Sequence, residues 1–205
     1  MNPYLSIARL DHYSKNAFMI PGSVLALFLT RADIANLTFW FNAIFGFVAL
    51  CAASSANYVI NEYLDRESDK HHPTKYNRPA ARGLINPYIL LVEYAFLALS
   101  AVAISYSLNV YVLAWIASLL LMGCLYNVPP FRLKDVAFLD VIVESVNNPI
   151  RFMIGWTLVA ESALPPVTAL FAYWVGGGVF DDCKKAGGVQ ELCFDIEPSL
   201  IPKII

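Results

Sequence analysis

Apolar residues along the chain gather into six runs separated by polar loops, each long enough, or nearly so, to cross about 30 Å of hydrocarbon at 1.5 Å per residue. Their limits read as Lys15 to Thr30, Ile34 to Ile60, Tyr88 to Leu108, Tyr111 to Asn127, Leu139 to Val159 and Pro166 to Phe180. The pattern predicts an all-α, polytopic membrane helical bundle. The turn centred on Asn109 is tight, which makes the third and fourth spans antiparallel neighbours. The larger loops are Leu64 to Pro87 and Val128 to Phe138. One helical domain is expected over residues 1–180, followed by a polar, irregular tail over 181–205.

Composition agrees with the pattern. With 58% hydrophobic residues and 15% charged in 205, the chain is too apolar for an ordinary soluble domain. The mean hydropathy is +0.56. Met1 to Lys15 is polar, and the run after it has no small-residue cleavage site, so it is read as a span, weakened or kinked by Pro21 and Gly22. Cys51, Cys124, Cys183 and Cys193 have no metal-ligand spacing and read as packing residues and ordinary thiols. No basic patch suited to nucleic acid is present.

The net charge of -2 says little; the placement of the cations says more. Arg9 and Lys15, the cluster Arg66 to Arg82, the pair Arg132 and Lys134, and Lys184, Lys185 and Lys203 all fall on one side of a six-span scheme. Arg31 alone falls on the other, and Arg151 lies within a span. The excess of Lys and Arg in cytoplasmic loops then places the N-terminus and both long loops in the cytoplasm, in an integral cell-membrane protein.

Against this apolar background, Asn57, Asn61, Asp65 and Asp69 stand four apart. At helical pitch they share one face, and polar groups kept in such a segment face a cavity or a partner. The loop His71-His72-Pro73-Thr74-Lys75-Tyr76-Asn77-Arg78-Pro79 follows, its prolines stiffening a backbone that carries Lys75 and Arg78. Carboxylates beside cations suit a phosphate or diphosphate held through Mg²⁺, which takes carboxylate and phosphate oxygens and keeps water. A second stiff loop runs from Tyr126 to Asp135 and carries Arg132 and Lys134. Asp140, Glu144, Asn147, Asn148 and Arg151 then repeat the helical spacing on the fifth span. Two such stripes at one membrane face describe a charged pocket roofing an apolar cavity.

Other readings attach to the same residues. The first stripe would also suit a solvated helix end, and Lys75, Arg78, Arg132 and Lys134 would suit positive-inside anchors. Asp140 and Glu144 would serve as ion-pair partners of Arg151, and Asn147 and Asn148 as interhelical hydrogen-bond glue. His71 and His72 read as loop polarity, and Gly176-Gly177-Gly178 as close helix packing.

The stretch from Asn57 to Gly83, with Asn61-x-x-x-Asp65-x-x-x-Asp69 and then Arg78-Pro79, resembles the first aspartate-rich motif of the UbiA superfamily of intramembrane prenyltransferases. Tyr126 to Lys134 resembles that family's tyrosine-and-lysine loop. The resemblance implies a helical membrane fold with a central cavity, Mg²⁺ bridging aspartates to an isoprenoid phosphate or diphosphate lipid, and transfer to a small-molecule or lipid acceptor. It makes Asn61, Asp65 and Asp69 the metal-side residues, Arg78, Arg132 and Lys134 the phosphate-side residues, and Tyr126 a pocket wall. Asp65, Asp69, Asn61, Lys134 and Tyr126 form the expected catalytic set; Asn57, Lys75, Arg78, Arg132, Asp140 and Asn148 the expected substrate-binding set.

Within the superfamily, His72-Pro73-Thr74-Lys75-x-x-Arg78-Pro79 and the opening Arg9 to Asn16 are most similar to the branch that moves phosphoribosyl from phosphoribosyl diphosphate to a polyprenyl phosphate. Pro129 to Lys134 is more similar to branches that move a prenyl chain to an aromatic or lipid acceptor. Both activities stay open. Glu62 stands where the family usually has Asp, and Asp181-Asp182 lies where a fuller second aspartate motif is usual. Family members commonly carry more spans than six, so a C-terminally truncated version of the fold is also expected. An inactive homologue, a polyprenyl-phosphate-binding membrane protein and an ion-relay transporter are the readings of other classes.

Overall fold

A computed structural model describes residues 2–136, 139–161 and 163–176, and among them every regular element is helical. The elements are α1 (Pro3–Ile7), a 3₁₀ helix (Leu10–Met19), α2 (Ile20–Thr30), α3 (Leu37–Leu64), α4 (Arg66–Asp69), α5 (Pro87–Leu108), α6 (Val110–Asn127), α7 (Leu139–Thr157) and α8 (Val167–Gly176). Short 3₁₀ turns at Lys75–Asn77 and Leu133–Asp135 interrupt the two basic loops.

Helix starts follow local chemistry. The side chains of Asn36, Asn86 and Asn109 accept hydrogen bonds from the free N–H groups of Thr38, Tyr88 and Val112, which caps α3, α5 and α6. Asn109 is the whole connection between α5 and α6, and its Nδ2 also donates to the Thr157 carbonyl of α7 at 3.1 Å.

Among the described residues three helices, α3, α5 and α6, are long and apolar enough to cross a membrane. Three of the six expected spans meet that measure. α7 has the length, with 19 residues, but carries Asp140, Glu144 and Arg151. The segment expected as the first span opens as a 3₁₀ helix, and only Ile20–Thr30 is α-helical, with Pro21 tolerated in its first turn, where no N–H is needed. α8 is described over Val167–Gly176; Gly177, Gly178, Asp181, Asp182 and the tail expected over 181–205 lie outside the described residues.

α3 is the central helix. Its small residues Ala49, Ala53 and Ala56 are fully buried and let α5, α6 and the 3₁₀ helix approach. Leu50, Ala101, Ile116, Leu119 and Ile154 complete the core from four helices. α2 and α7 cross on two glycines. A Cβ on Gly22 would meet the Phe152 carbonyl, and one on Gly155 would meet that of Met19. Ser23 Oγ donates to the Gly155 carbonyl at 2.9 Å across the same crossing. The outer face of α5 exposes Leu91, Val92, Phe96 and Leu99, as suits a lipid-facing helix.

Candidate functional site

The polar stripe runs off the end of α3. Asn57 and Asn61 are helical, Asp65 caps the C-terminus, and Asp69 sits on the separate α4, inside the stretch read as a loop from Leu64 to Pro87. The break is shallow. Asp65 N–H still donates to the Asn61 carbonyl (3.0 Å) and Asp69 N–H to that of Asp65 (2.8 Å), which keeps near-helical pitch.

Each carboxylate meets a cation from a basic loop. Lys134 Nζ and Arg132 Nη2 both reach Asp65 Oδ1, at 2.5 and 3.2 Å, and Arg78 Nη1 reaches Asp69 Oδ2 at 2.6 Å. Arg132 is held in the left-handed region (φ 35°) and also grips Asp135 at 2.6 Å, which aims its guanidinium back at Asp65. Asp69 is buried, while Asp65 stays partly open to its surroundings. Lys75 is half-buried in its 3₁₀ turn and makes no ion pair among the described residues.

Asn127 joins the two loops. Its Oδ1 accepts from Asn61 Nδ2 (2.6 Å) and from Lys134 Nζ (3.0 Å), and its Nδ2 donates to the Gly123 carbonyl (2.9 Å). A continuous chain, Asn61 to Asn127 to Lys134 to Asp65, therefore fixes the polar end of α3 against the end of α6. Asn127 was not singled out from sequence, although it directly follows Tyr126; only the long-range contact reveals its two acceptor bonds.

Burial pushes the Lys134 ammonium below the ordinary lysine range, and Asp65 opposes that shift. Asp65→Asn removes the opposing charge, so the Lys134 pKa moves down further and more free amine is present at a given pH. The expected result is faster acylation of Lys134 in the variant than in the wild type at the same pH, followed by peptide mass spectrometry. An unchanged rate would contradict direct pairing.

Beneath this charged end lies a cavity of about 230 Å³. α3 supplies Ser54, Asn57, Tyr58 and Asn61, and α6 supplies Leu119, Gly123, Tyr126 and Asn127. α7 contributes Glu144, Asn147 and Arg151, and the N-terminal segment contributes Arg9, His12 and Lys15. Of the second expected stripe, Asp140 and Asn148 are not in this lining; Asn148 is buried and accepts from Arg151 Nη1 at 3.3 Å. Arg151 also donates to Asn16 Oδ1 (3.3 Å), and Lys15 pairs with Glu144 at 3.7 Å. The contribution of Arg9, His12 and Lys15 was not legible from spacing, because no helical repeat links them to the later motifs.

Two buried amide oxygens, Asn57 Oδ1 and Asn147 Oδ1, have no hydrogen-bond partner among the described residues, although both residues line the cavity. Such atoms are costly to bury unless something donates to them. Asn57 is held by its own Nδ2 bond to the Leu119 carbonyl (2.9 Å) and packs directly on Gly123, where any Cβ would collide with its amide. Gly123→Ala is therefore expected to displace Asn57 and weaken ligand binding to this cavity by roughly tenfold, the equivalent of about 1.4 kcal/mol. Equilibrium binding of a labelled diphosphate to the purified variant checks it.

The donor set fits Mg²⁺. Among the described residues no three His, Cys, Asp or Glu side chains form a ready-made metal cage. Both cations on Asp65 take Oδ1, and Arg78 takes Oδ2 of Asp69, so each carboxylate keeps one oxygen for a metal, and Asn61 keeps its Oδ1. Few protein oxygens, with substrate phosphate and water completing the shell, is the usual Mg²⁺ arrangement. His71 and His72 are in the exposed part of the loop, and Cys51 and Cys124 are free thiols.

Residues 18–181 match the model of the UbiA prenyltransferase family, which is most of the chain. The chain belongs to that family. Among its relatives, the decaprenyl-phosphate phosphoribosyltransferase of Mycolicibacterium smegmatis is 33% identical over 109 residues, covering 53% of this chain and 33% of the relative. The 4-hydroxybenzoate octaprenyltransferase of Aeromonas salmonicida is 29% identical, covering 68% and 46%. The structure of a UbiA homologue from Archaeoglobus fulgidus bound to DMAPP and Mg²⁺ superposes with a TM-score of 0.72 at 19% identity, over 87% of this chain and 61% of that one. That likeness establishes the UbiA fold. This chain spans a third to a half of the length of those two curated relatives. Its apolar helices and family membership make it an integral membrane protein.

Proposed function

We propose that the protein is a Mg²⁺-dependent intramembrane transferase that moves a prenyl group from a polyprenyl diphosphate to an aromatic or lipid acceptor. The observation that carries this reading is the convergence of Asp65, Lys134, Arg132 and Asn61 directly above a cavity inside a helical membrane bundle. The basic loops lie on the cytoplasmic side, where the excess of Lys and Arg belongs.

Asp65, Asp69 and Asn61 would hold the metal through the oxygens that the cations leave free. When bound, Mg²⁺ would supply Lewis-acid neutralisation of a diphosphate leaving group. Lys134, Arg132 and Arg78 take up the negative charge that grows on the departing oxygen as the C–O bond breaks, exchanging part of their hold on the carboxylates for phosphate oxygens. The acceptor's nucleophilic atom then bonds to the freed carbon and gives up its proton. Tyr126 and Leu119 line the cavity and limit water near the cationic carbon.

A second reading, phosphoribosyl transfer to a polyprenyl phosphate, has one observation in its favour. The cavity walls are amide-rich, and the unpartnered oxygens of Asn57 and Asn147 call for a hydroxyl donor, which a sugar has and an isoprenoid chain lacks. Membranes containing the protein, given labelled prenyl diphosphate in one arm and labelled phosphoribosyl diphosphate in the other, separate the two. A Mg²⁺-dependent lipid product in the first arm supports the prenyl reading, product only in the second supports the other, and no product in either removes both.

A further inference from the structure

In a 3₁₀ helix, side chains three apart eclipse one another. Leu10–Met19 adopts that geometry, so Tyr13, Asn16 and Met19 share one row and turn toward α3 and α7, where Asn16 and Met19 are buried. Tyr13 Oη meets Ser55 Oγ at 3.0 Å, and Asn16 accepts from Ser54 Oγ at 3.0 Å. The next row holds His12 and Lys15, with Arg9 at its head. All three line the 230 Å³ cavity together with Asn57, Asn61 and Tyr126. An N-terminal segment thus forms a wall of the proposed transfer site, and it brings to that wall an imidazole, the side chain whose ordinary charge change lies nearest neutrality.

We infer that His12 is the base that takes the proton from a hydroxylated acceptor, with Arg9 and Lys15 on either side of it holding an anionic group of that acceptor. The inference rests on the transfer reading above. The acceptor's nucleophilic atom, its hydroxyl oxygen or the ring carbon that the hydroxyl activates, bonds to the carbon leaving the diphosphate, the C–O bond to diphosphate breaks with its electron pair staying on the diphosphate, and the one proton the acceptor gives up passes to the imidazole and then to solvent.

The position suits the task. His12 is partly exposed, its ring lies 5.4 Å from that of Tyr58 at a 44° tilt, and Nε2 is 3.6 Å from Asp11 Oδ2. Its neighbours are therefore Asp11, Arg9 and Lys15 on its own segment and Tyr58 on α3. Arg78 approaches from the first basic loop, and Tyr126, Glu144 and Arg151 face the shared cavity from α6 and α7. Burial lowers the imidazole pKa below the usual histidine range; Asp11 opposes this, and Arg9, Lys15 and Arg78 add to it. A neutral imidazole at physiological pH can accept a proton. His12 also lines a second cavity, shared with Ser6, Asp11, Glu62 and Arg78, so its imidazole borders two hollows.

The test uses the full chain in membranes, with geranyl diphosphate as donor and 4-hydroxybenzoate as acceptor, over a range of pH. In the wild type, the rate should fall on the acid side as one group protonates. His12→Gln should cut the rate by at least about 100-fold and abolish that acid limb, the usual worth of a general base. Added imidazole should restore part of the rate in His12→Gly. A variant that keeps the acid limb, or loses rate with no change of profile and no imidazole rescue, overturns the inference and leaves the transfer reading standing. Wild-type transfer confined to phosphoribosyl diphosphate and a polyprenyl phosphate, an acceptor already ionised, also overturns it. No transfer by the wild type removes the reading itself and the base with it.

Discussion

Asp65→Asn should abolish Mg²⁺-dependent transfer, lowering the rate by at least about 100-fold, the size seen when one group that stabilises transition-state charge is lost. The substitution keeps the shape of the side chain and removes its charge. Among the described residues Asp65 is the one carboxylate that touches both cations of the second basic loop, Lys134 at 2.5 Å and Arg132 at 3.2 Å, so its loss affects metal holding and leaving-group stabilisation at once. Protein level in the membrane should be retained, because Asp65 lies at the end of α3 outside the apolar core. Rates measured at several Mg²⁺ concentrations check this, since a variant that still binds metal weakly should recover part of its activity as Mg²⁺ rises. A wild-type yield from Asp65→Asn would rule out the metal role.

The second large effect is structural. Gly22→Ala, or Gly155→Ala, should destabilise the protein by about 1–3 kcal/mol, the usual cost of overpacking. Each added methyl would run into a backbone carbonyl, Phe152 for Gly22 and Met19 for Gly155, and backbone cannot rotate aside as a side chain can. For a chain of this size that corresponds to a fall of roughly 2–12 °C in the melting temperature. Thermal unfolding in detergent checks it. The double variant should cost less than the sum, because both methyls force apart the same crossing of α2 and α7. Unchanged melting of either single variant would contradict this close approach.

Much of the bundle was legible because apolar runs bounded by capping asparagines leave few choices. The third and fourth runs, read as Tyr88 to Leu108 and Tyr111 to Asn127, appear as Pro87–Leu108 and Val110–Asn127, and the fifth is helical over Leu139–Thr157. α3 ends at Leu64, where the first long loop was read to begin, whereas the short α4 inside that loop was hidden, since four-residue spacing alone does not separate one helix from two. The 3₁₀ helix at Leu10–Met19 was hidden for a related reason. Hydropathy averages over windows too wide to register a three-residue repeat, and what stabilises this segment is long-range, such as Asn16 meeting Arg151 across 135 positions.

The charged residues show the same division. The Asp and Lys or Arg groups were visible as unlike their surroundings, whereas their pairing, Asp65 with the second loop and Asp69 with the first, depends on how α3, α4 and α6 end in space. Asn127 closes the fourth run and carries no charge to single it out, and Arg9 and His12 lie upstream of every apolar run, with Lys15 at the start of the first. Glu62, read as a lengthened aspartate, is buried, with Arg9 3.4 Å away, so it fastens the N-terminal segment to α3.

Asn109 ties three helices together at the extremity farthest from the charged loops, serving as the entire link between α5 and α6 while gripping the last turn of α7. The charged end has its own fastening through Asn61, Asn127, Lys134 and Asp65, so the bundle is pinned at both extremities. Lengthening the one-residue link by even a few flexible residues would free α5, α6 and α7 from their shared rivet at once.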